Sequence, residues 1–246
     1  MDAYWGYAAG YGLALAAAWV LIVARPALLA GPDLPEFRRP WVELAIFILG
    51  IVGVLAVGQA YVRGWLLPEP GFLAGFANQV LIFLPVLLII ALRPFPLRTG
   101  FLAPNRMLSG LVIGIVLAGI ALAAHAAARG WLGEFDAVLA TVFHLGRAHH
   151  FAQVLMEDVA IVALVTRIIG VSGPRTAITL AGALFAAAHI PALLAGGADL
   201  AGLITLVLDA GLAVAALGAI LATRNIWWFF PVHAVMDMTQ FHIPAV

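Results

Sequence analysis

Two adjacent carboxylates, Glu157 and Asp158, lie inside a run of apolar residues long enough to cross a bilayer. A charged carboxylate near the centre of a membrane helix costs about 2.5 to 3.5 kcal/mol on insertion scales, so such groups face the protein interior and have partners there. Three candidate partners also lie in apolar runs further along the chain: His189, His233 and Asp237. Side chains of these types can ligate a metal ion, activate water or form a hydrogen-bonded packing network.

The spacing of these residues places them on shared helix faces. Phe185 and His189 are four residues apart, as are His233 and Asp237, and side chains at this separation lie one above the other on an α-helix. At about 1.5 Å of rise per residue, Glu157 and the two histidines fall at similar depths in their spans. We therefore expect these side chains to share one layer in the outer half of the bilayer.

The composition is that of a membrane protein. Of the 246 residues, 65% are hydrophobic and only 10% are charged, with a mean hydropathy of +1.10, which leaves too little polar surface to cover a soluble globule. Apolar runs recur along the whole chain, so we interpret residues 1–246 as one membrane domain in contact with lipids. The sequence has no cysteine, which excludes thiolate ligands, disulfides and a cysteine nucleophile.

The charged residues bear on the binding partners of the protein and on the kind of cell it comes from. Formal net charge is zero, and no basic run is present that would favour binding to nucleic acid. All twelve basic residues are Arg, and together with the abundant Ala and Gly this indicates a GC-rich bacterial genome. We expect a multi-pass protein of a bacterial inner (cytoplasmic) membrane.

The apolar runs predict an all-α polytopic membrane protein with eight transmembrane helices. The predicted spans are residues 5–24, 42–62, 76–92, 107–127, 151–169, 177–194, 200–222 and 226–241. Residues 133–150 are mixed in character and predict an interfacial helix or lid before the fifth span. Trp227 and Trp228, at the start of the last span, are typical of an aromatic belt. No internal repeat is evident that would favour a transporter.

Three motifs follow one another in separate spans. They are the acid pair Glu157 and Asp158, the pattern Phe185-x-x-x-His189, and, after a Gly-containing helix, the pattern His233-x-x-x-Asp237. In this order and spacing they resemble the CPBP family of polytopic membrane proteins. That family includes the type II CAAX prenyl endopeptidases and bacteriocin-processing or Abi proteins. The resemblance covers residues 151–240, which would form the core that carries the polar site.

The resemblance implies an intramembrane endopeptidase that cleaves a membrane-associated or prenylated peptide or protein. Glu157, paired with His189, would take a proton from the water that attacks the scissile carbonyl. His233 and Asp237 would stabilise the developing oxyanion or orient the peptide. In an alternative arrangement, Glu157, His189 and His233 ligate a zinc ion that activates the water.

Three further residues, Asp158, Phe185 and Asp209, would support the catalytic residues without contacting the substrate. Asp158 and Phe185 belong to the motifs, and Asp209 lies in the seventh predicted span, where it either packs or assists the site. The whole set can also be interpreted as a satisfied polar network that fixes helix packing.

One position departs from the family pattern. The first family motif reads Glu-Glu-x-x-x-Arg, whereas this chain has Asp158 as the second acid and Val162 at the Arg position, with the next basic residue at Arg167. This departure favours an alternative function, a catalytically inactive structural or assembly subunit of a larger membrane protein complex. A further alternative is a haem or pigment subunit, because an intramembrane histidine can be an axial ligand.

Overall fold

Helices make up the regular structure of the chain. The computed structural model describes residues 2–68, 71–188, 190 and 200–243, and within these ranges it contains no strand. We number the main helices α1 Asp2–Ala24, α2 Pro40–Val62, α3 Phe72–Leu92, α4 Met107–Arg129, α5 Phe135–Val142, α6 His149–Ser172, α7 Pro174–Ala188, α8 Leu200–Thr223 and α9 Phe229–Met238. The all-α prediction is confirmed. The segment predicted as an interfacial helix or lid contains α5 between two short turns.

Five helices in the described part of the chain are long and apolar enough to cross a membrane. They are α1, α2, α3, α4 and α8, and they are identified as possible spans by their length and composition. Their outward faces expose large aliphatic side chains, such as Leu49, Val52 and Leu55 of α2. Such a continuous apolar surface is suited to lipid rather than to water.

The other three predicted spans form helices of different character. The α6 helix has 24 residues but carries Glu157, Asp158 and Arg167. The α7 helix has 15 residues, and its predicted end at residue 194 lies outside the described residues. The α9 helix has only 10 residues, which at about 1.5 Å each cover half of a hydrocarbon core of about 30 Å. Among the residues that the structure describes, five helices are long and apolar enough to be spans, so the prediction of eight is not confirmed.

A folded turn shortens α9 at its beginning. Arg224 adopts a left-handed conformation with φ of 51°, and Asn225 Nδ2 donates to the carbonyl of Leu29 at 3.2 Å. Trp228 is fully buried and its Nε1 donates to Thr223 Oγ1 at 2.9 Å. Trp228 is thus a packing residue and not part of an aromatic belt. Pro231 lies in the first turn of α9, where its missing N–H breaks no helical hydrogen bond.

The two helices with the motif acids and histidine are neighbours inside the bundle. The α6 helix packs against α2, α3, α7 and α9, and α9 also packs against α1 and α4. The α1 helix lies along α4 and α8. The apolar helices therefore surround the more polar α6 and α9, as the high cost of exposing charged groups to lipid requires.

Away from α6 and α9, an ion pair joins α2 to the end of α3. Glu43 is buried in α2 and accepts hydrogen bonds from the guanidinium of Arg93, which follows α3. These hydrogen bonds raise the pKa of Arg93 above its ordinary value. The pair supplies a partner for a carboxylate that the α2 helix would otherwise bury alone.

The Trp228 turn gives a stability prediction. Replacing Trp228 by Ala removes a fully buried indole and its hydrogen bond, so we expect the free energy of unfolding to fall by about 3 to 5 kcal/mol. The control is Trp41→Ala, because Trp41 is 70% exposed and its loss changes stability by about 0.5 kcal/mol or less. Circular dichroism during unfolding in mixed detergent micelles measures both. Equal losses for the two variants would contradict a packing role for Trp228.

Candidate functional site

A direct contact joins the first and third motifs. His233 Nδ1 of α9 lies 2.8 Å from Asp158 Oδ1 of α6. Because a carboxylate oxygen accepts, we assign the hydrogen to Nδ1, which donates to Asp158. Asp158 is only 2% exposed, so its carboxylate depends on this imidazole for charge compensation. The second carboxylate oxygen, Oδ2, is buried and has no hydrogen-bond partner among the described residues.

Aromatic rings hold the imidazole of His233 in place. Its centre lies 5.6 Å from the ring of Phe229, one turn earlier on α9, and 6.4 Å from the ring of Tyr11 on α1. Tyr11 and Phe229 also stack on each other, with 6.4 Å between their centres. Three helices therefore fix the position of this histidine: α6 through the hydrogen bond, and α1 and α9 through ring contacts.

Glu157 belongs to a second chain of polar groups that runs along α6. Gln153 Nε2 donates to Glu157 Oε1 at 2.9 Å, and His150 Nδ1 lies 3.0 Å from Gln153 Oε1. The three residues are at positions i, i+3 and i+7 and share one helix face. His150 also packs against the ring of Phe241 at 5.0 Å. Gln153 and His150 were not predicted as site residues, although their spacing from Glu157 is visible in the sequence.

Asp237 lies one turn beyond His233, as predicted from their spacing. Gln240 Nε2 donates to Asp237 Oδ1 at 3.0 Å, so the amide of Gln240 orients this carboxylate. Thr239 of the following turn contacts Tyr7 of α1, with 3.4 Å between the two hydroxyl oxygens. The contact between Thr239 and Tyr7 joins the end of α9 to α1.

A cavity of about 480 Å³ opens beside these groups. Among the predicted site residues, those that line it are Asp158, Phe185, Asp209, His233 and Asp237. Asp209 therefore takes part in the cavity wall rather than only in packing. Glu157 is not among the lining residues, although Asp158 beside it and Ile161 one turn later are. His189, the predicted partner of Glu157, lies outside the described residues.

The first helix supplies a wall that the motifs did not predict. Tyr4, Tyr7 and Tyr11 of α1 all line the cavity. Their spacing of three and four residues puts them on one helix face, and this pattern was the available signal in the sequence. The site therefore extends beyond residues 151–240.

The zinc arrangement has no support in the described part of the chain. No group of three or more His, Asp or Glu side chains there could hold a metal ion. Of the three candidate ligands, His233 uses Nδ1 for Asp158 and Glu157 is bonded to Gln153, while His189 lies outside the described residues.

The positions of Val162 and Arg167 show whether another arginine takes the place of the Arg that the CPBP motif has at position 162. Val162 is 1% exposed and belongs to the apolar core. Arg167 is fully buried, and its guanidinium carbon lies 4.3 Å from the ring centre of Phe47 on α2. Its Nη1 donates to the carbonyl of Ala163 at 2.9 Å. Arg167 therefore packs against α2 and does not replace the motif Arg beside Asp158 and His233.

Comparison with known proteins finds no relative, since no family model, no curated protein and no solved structure matches this chain.

The contact between Asp158 and His233 predicts energetic coupling. In a double-mutant cycle of Asp158→Ala and His233→Ala, we expect a coupling of about 1 to 3 kcal/mol in unfolding free energy, because each side chain loses its charged hydrogen-bond partner. The control cycle pairs His233→Ala with Ser172→Ala. Ser172 lies at the far end of α6, about 20 Å along the helix from Asp158, and we expect coupling below about 0.5 kcal/mol. Equal couplings in both cycles would contradict a direct interaction.

Proposed function

We propose that this protein is a membrane-embedded endopeptidase of the CPBP type, acting on a membrane-associated or prenylated peptide or protein. The observation that carries the proposal is the hydrogen bond of 2.8 Å between Asp158 and His233 on the wall of the cavity. It joins the first and third motifs across two helices, as a shared active site requires. A packing network alone has no need of a cavity beside it.

In the proposed reaction, Glu157 acts as the general base. It does not line the cavity but adjoins Asp158, which does, so the reaction requires water to pass from the cavity to the carboxylate of Glu157. Its carboxylate takes one proton from water, and the water oxygen attacks the carbonyl carbon of the scissile peptide bond. The tetrahedral intermediate then collapses, the C–N bond breaks, and the proton on Glu157 passes to the leaving amine. Gln153 donates to one oxygen of Glu157, which orients the carboxylate and leaves the other oxygen for water. His189 keeps the role that the motif predicts, as the partner of Glu157.

His233 and Asp237 would bind the peptide group during this reaction. Both line the cavity, so both are placed to contact a substrate there. The hydrogen bond to Asp158 fixes the ring orientation of His233 and leaves Nε2 for the substrate. The carboxylate of Asp237 can accept a hydrogen bond from a substrate N–H. Asp158 is therefore a positioning residue that acts through His233.

The proposal includes the placement of the helices in the membrane. We propose that α6, α7 and α9 lie in the bilayer with the five apolar helices, which gives eight membrane helices in a bacterial inner membrane. The burial of Asp158 and Arg167 inside the bundle supports this arrangement, because charged groups within a membrane face the protein interior. The short α9 would then enter the membrane without crossing it.

A second candidate function is an inactive structural or assembly subunit of a larger membrane protein complex. The observation that favours it is the pair of Val162, buried in the apolar core, and Arg167, which packs against Phe47. No arginine therefore stands at the position of the motif Arg. In such a subunit, Asp158 and His233 would serve only to hold α6 and α9 together.

An activity assay tests the first candidate. Purified protein in nanodiscs is given a fluorogenic, lipid-anchored peptide library, and the cleaved products are identified by mass spectrometry. We expect Glu157→Gln to lower kcat/KM by about 10² to 10⁴-fold, as the loss of a general base does. The control is Glu36→Gln, which neutralises an exposed carboxylate away from the cavity and leaves the rate unchanged. Undiminished cleavage by Glu157→Gln would refute the proposed mechanism.

A separate measurement tests the second candidate. An inactive subunit would co-purify with stoichiometric membrane partners from native membranes, and Glu157→Gln would leave that complex intact while no cleavage is detected in the wild type. A wild-type protein that cleaves the peptide and purifies alone would contradict this function.

A further inference from the structure

Three polar side chains of α6 form a row of hydrogen bonds whose direction follows from the groups they join. An ionised carboxylate only accepts hydrogen bonds, so Gln153 presents its amide nitrogen to Glu157, 2.9 Å from Oε1. The amide oxygen of Gln153 then faces His150 Nδ1 at 3.0 Å. Because this oxygen also only accepts, the hydrogen lies on Nδ1 of His150. Donation therefore runs one way along this α6 polar row, from the imidazole through the amide to the carboxylate.

The two ends of the α6 polar row fix the orientation of the amide between them. An amide that turned over would place its oxygen against the carboxylate of Glu157 and its NH₂ group against the N–H of His150. Both contacts would then join like groups, two acceptors at one end and two donors at the other. The N–H of Gln153 thus stays directed at Glu157. A donated hydrogen bond favours the ionised form of a carboxylate, and a general base has to be ionised to take a proton.

Ring contacts hold the imidazole of His150. Its centre lies 5.0 Å from the ring centre of Phe241 and 4.3 Å from that of His149. The guanidinium carbon of Arg147 lies 4.7 Å from the centre of the Phe241 ring. Phe241 belongs to the turn that follows α9, and Arg147 belongs to the turn before α6. Residues from two separate parts of the chain therefore fix the imidazole.

Two contacts set the register of α6 against α9 and the turn that follows it. Asp158 pairs with His233, and His150 packs on Phe241. Eight residues separate these contacts on both segments, so the segments run antiparallel with about 12 Å between the contacts. The amide and the carboxylate of the α6 polar row lie between them. Turning this part of α6 about its axis would break both contacts, so the row is held in place.

We propose that His150 is a positioning residue for Glu157 and that it acts through the amide of Gln153. Its Nδ1–H, held by the ring of Phe241, sets the direction of the amide and thereby which oxygen of Glu157 stays free for water. The role of Glu157 as the base rests on the proposed peptidase function. The hydrogen on His150 Nδ1 requires only the contacts along α6.

Kinetic constants of paired variants test the positioning role. Asn has an N–H near the position of Nδ1 of a histidine, whereas Leu has no donor. We expect His150→Leu to lower kcat by about tenfold and to leave KM within about twofold, because His150 acts on the base and does not contact the substrate. His150→Asn is expected to retain about half of the wild-type kcat or more. Equal losses of kcat in these two variants would overturn the proposal.

A further variant and a control locate the effect in the α6 polar row. Gln153→Leu breaks the row at its centre and is expected to lower kcat at least as much as His150→Leu. In the double variant the two losses should not multiply, because both remove the same directed hydrogen bond. His144→Leu is the matched control, since His144 is an exposed histidine before the same helix and its loss leaves kcat unchanged. Losses that multiply would overturn the action of His150 through Gln153.

A spectroscopic measurement tests the direction of the row without any need for activity. Protein with isotope-labelled histidine is placed in nanodiscs, and the ring signals of His150 in nitrogen NMR are identified by their absence from His150→Asn. In the neutral imidazole we expect the hydrogen on Nδ1, because the hydrogen bond of one ring nitrogen sets the tautomer. Gln153→Leu should remove this preference and populate the Nε2–H form. An Nε2–H imidazole in the wild type would overturn the proposal.

The two readouts separate this inference from the proposed reaction. A wild-type protein with the Nδ1–H tautomer but no peptidase activity would refute the enzyme while supporting the directed α6 polar row. Peptidase activity that survives His150→Leu unchanged would overturn the positioning role and leave the enzyme standing.

Discussion

The carboxylate of Asp158, buried in a predominantly apolar bundle, imposes the constraint on which the arrangement of the helices depends. Burial of a charged group in such surroundings is unfavourable unless another group compensates it. His233 provides that compensation through a hydrogen bond of 2.8 Å. The two residues are 75 positions apart in the chain, so this one contact requires α6 and α9 to lie side by side. The apolar helices can then enclose both.

The turn before α9 positions His233. His233 contacts Asp158 from a helix that begins at Phe229. In the turn before this helix, Asn225 donates a hydrogen bond to the carbonyl of Leu29 and Trp228 donates one to Thr223. These hydrogen bonds hold the start of α9 deep in the bundle.

The sequence allowed the polar residues of the candidate site to be predicted, but not which of them contact one another. The spacing of His233 and Asp237 placed them on one helix face, but the group that contacts His233 Nδ1 is Asp158 on another helix. The sequence also pointed to residues 151–240 as the core, whereas Tyr4, Tyr7 and Tyr11 of α1 complete the cavity. Periodicity describes neighbours within one helix. It carries no information about which helices pack together.

The sequence by itself determined that the chain is helical, that most of its helices are apolar enough for lipid, and that Glu157, Asp158 and His233 had to face inward. Composition and periodicity suffice for these conclusions because they reflect local structure and the solvent each segment tolerates. Only the tertiary structure decided that Asp158 pairs with His233, that Arg167 packs against Phe47, and that α9 is too short to span a bilayer. These features depend on distances between segments remote in sequence, which packing of the whole bundle sets.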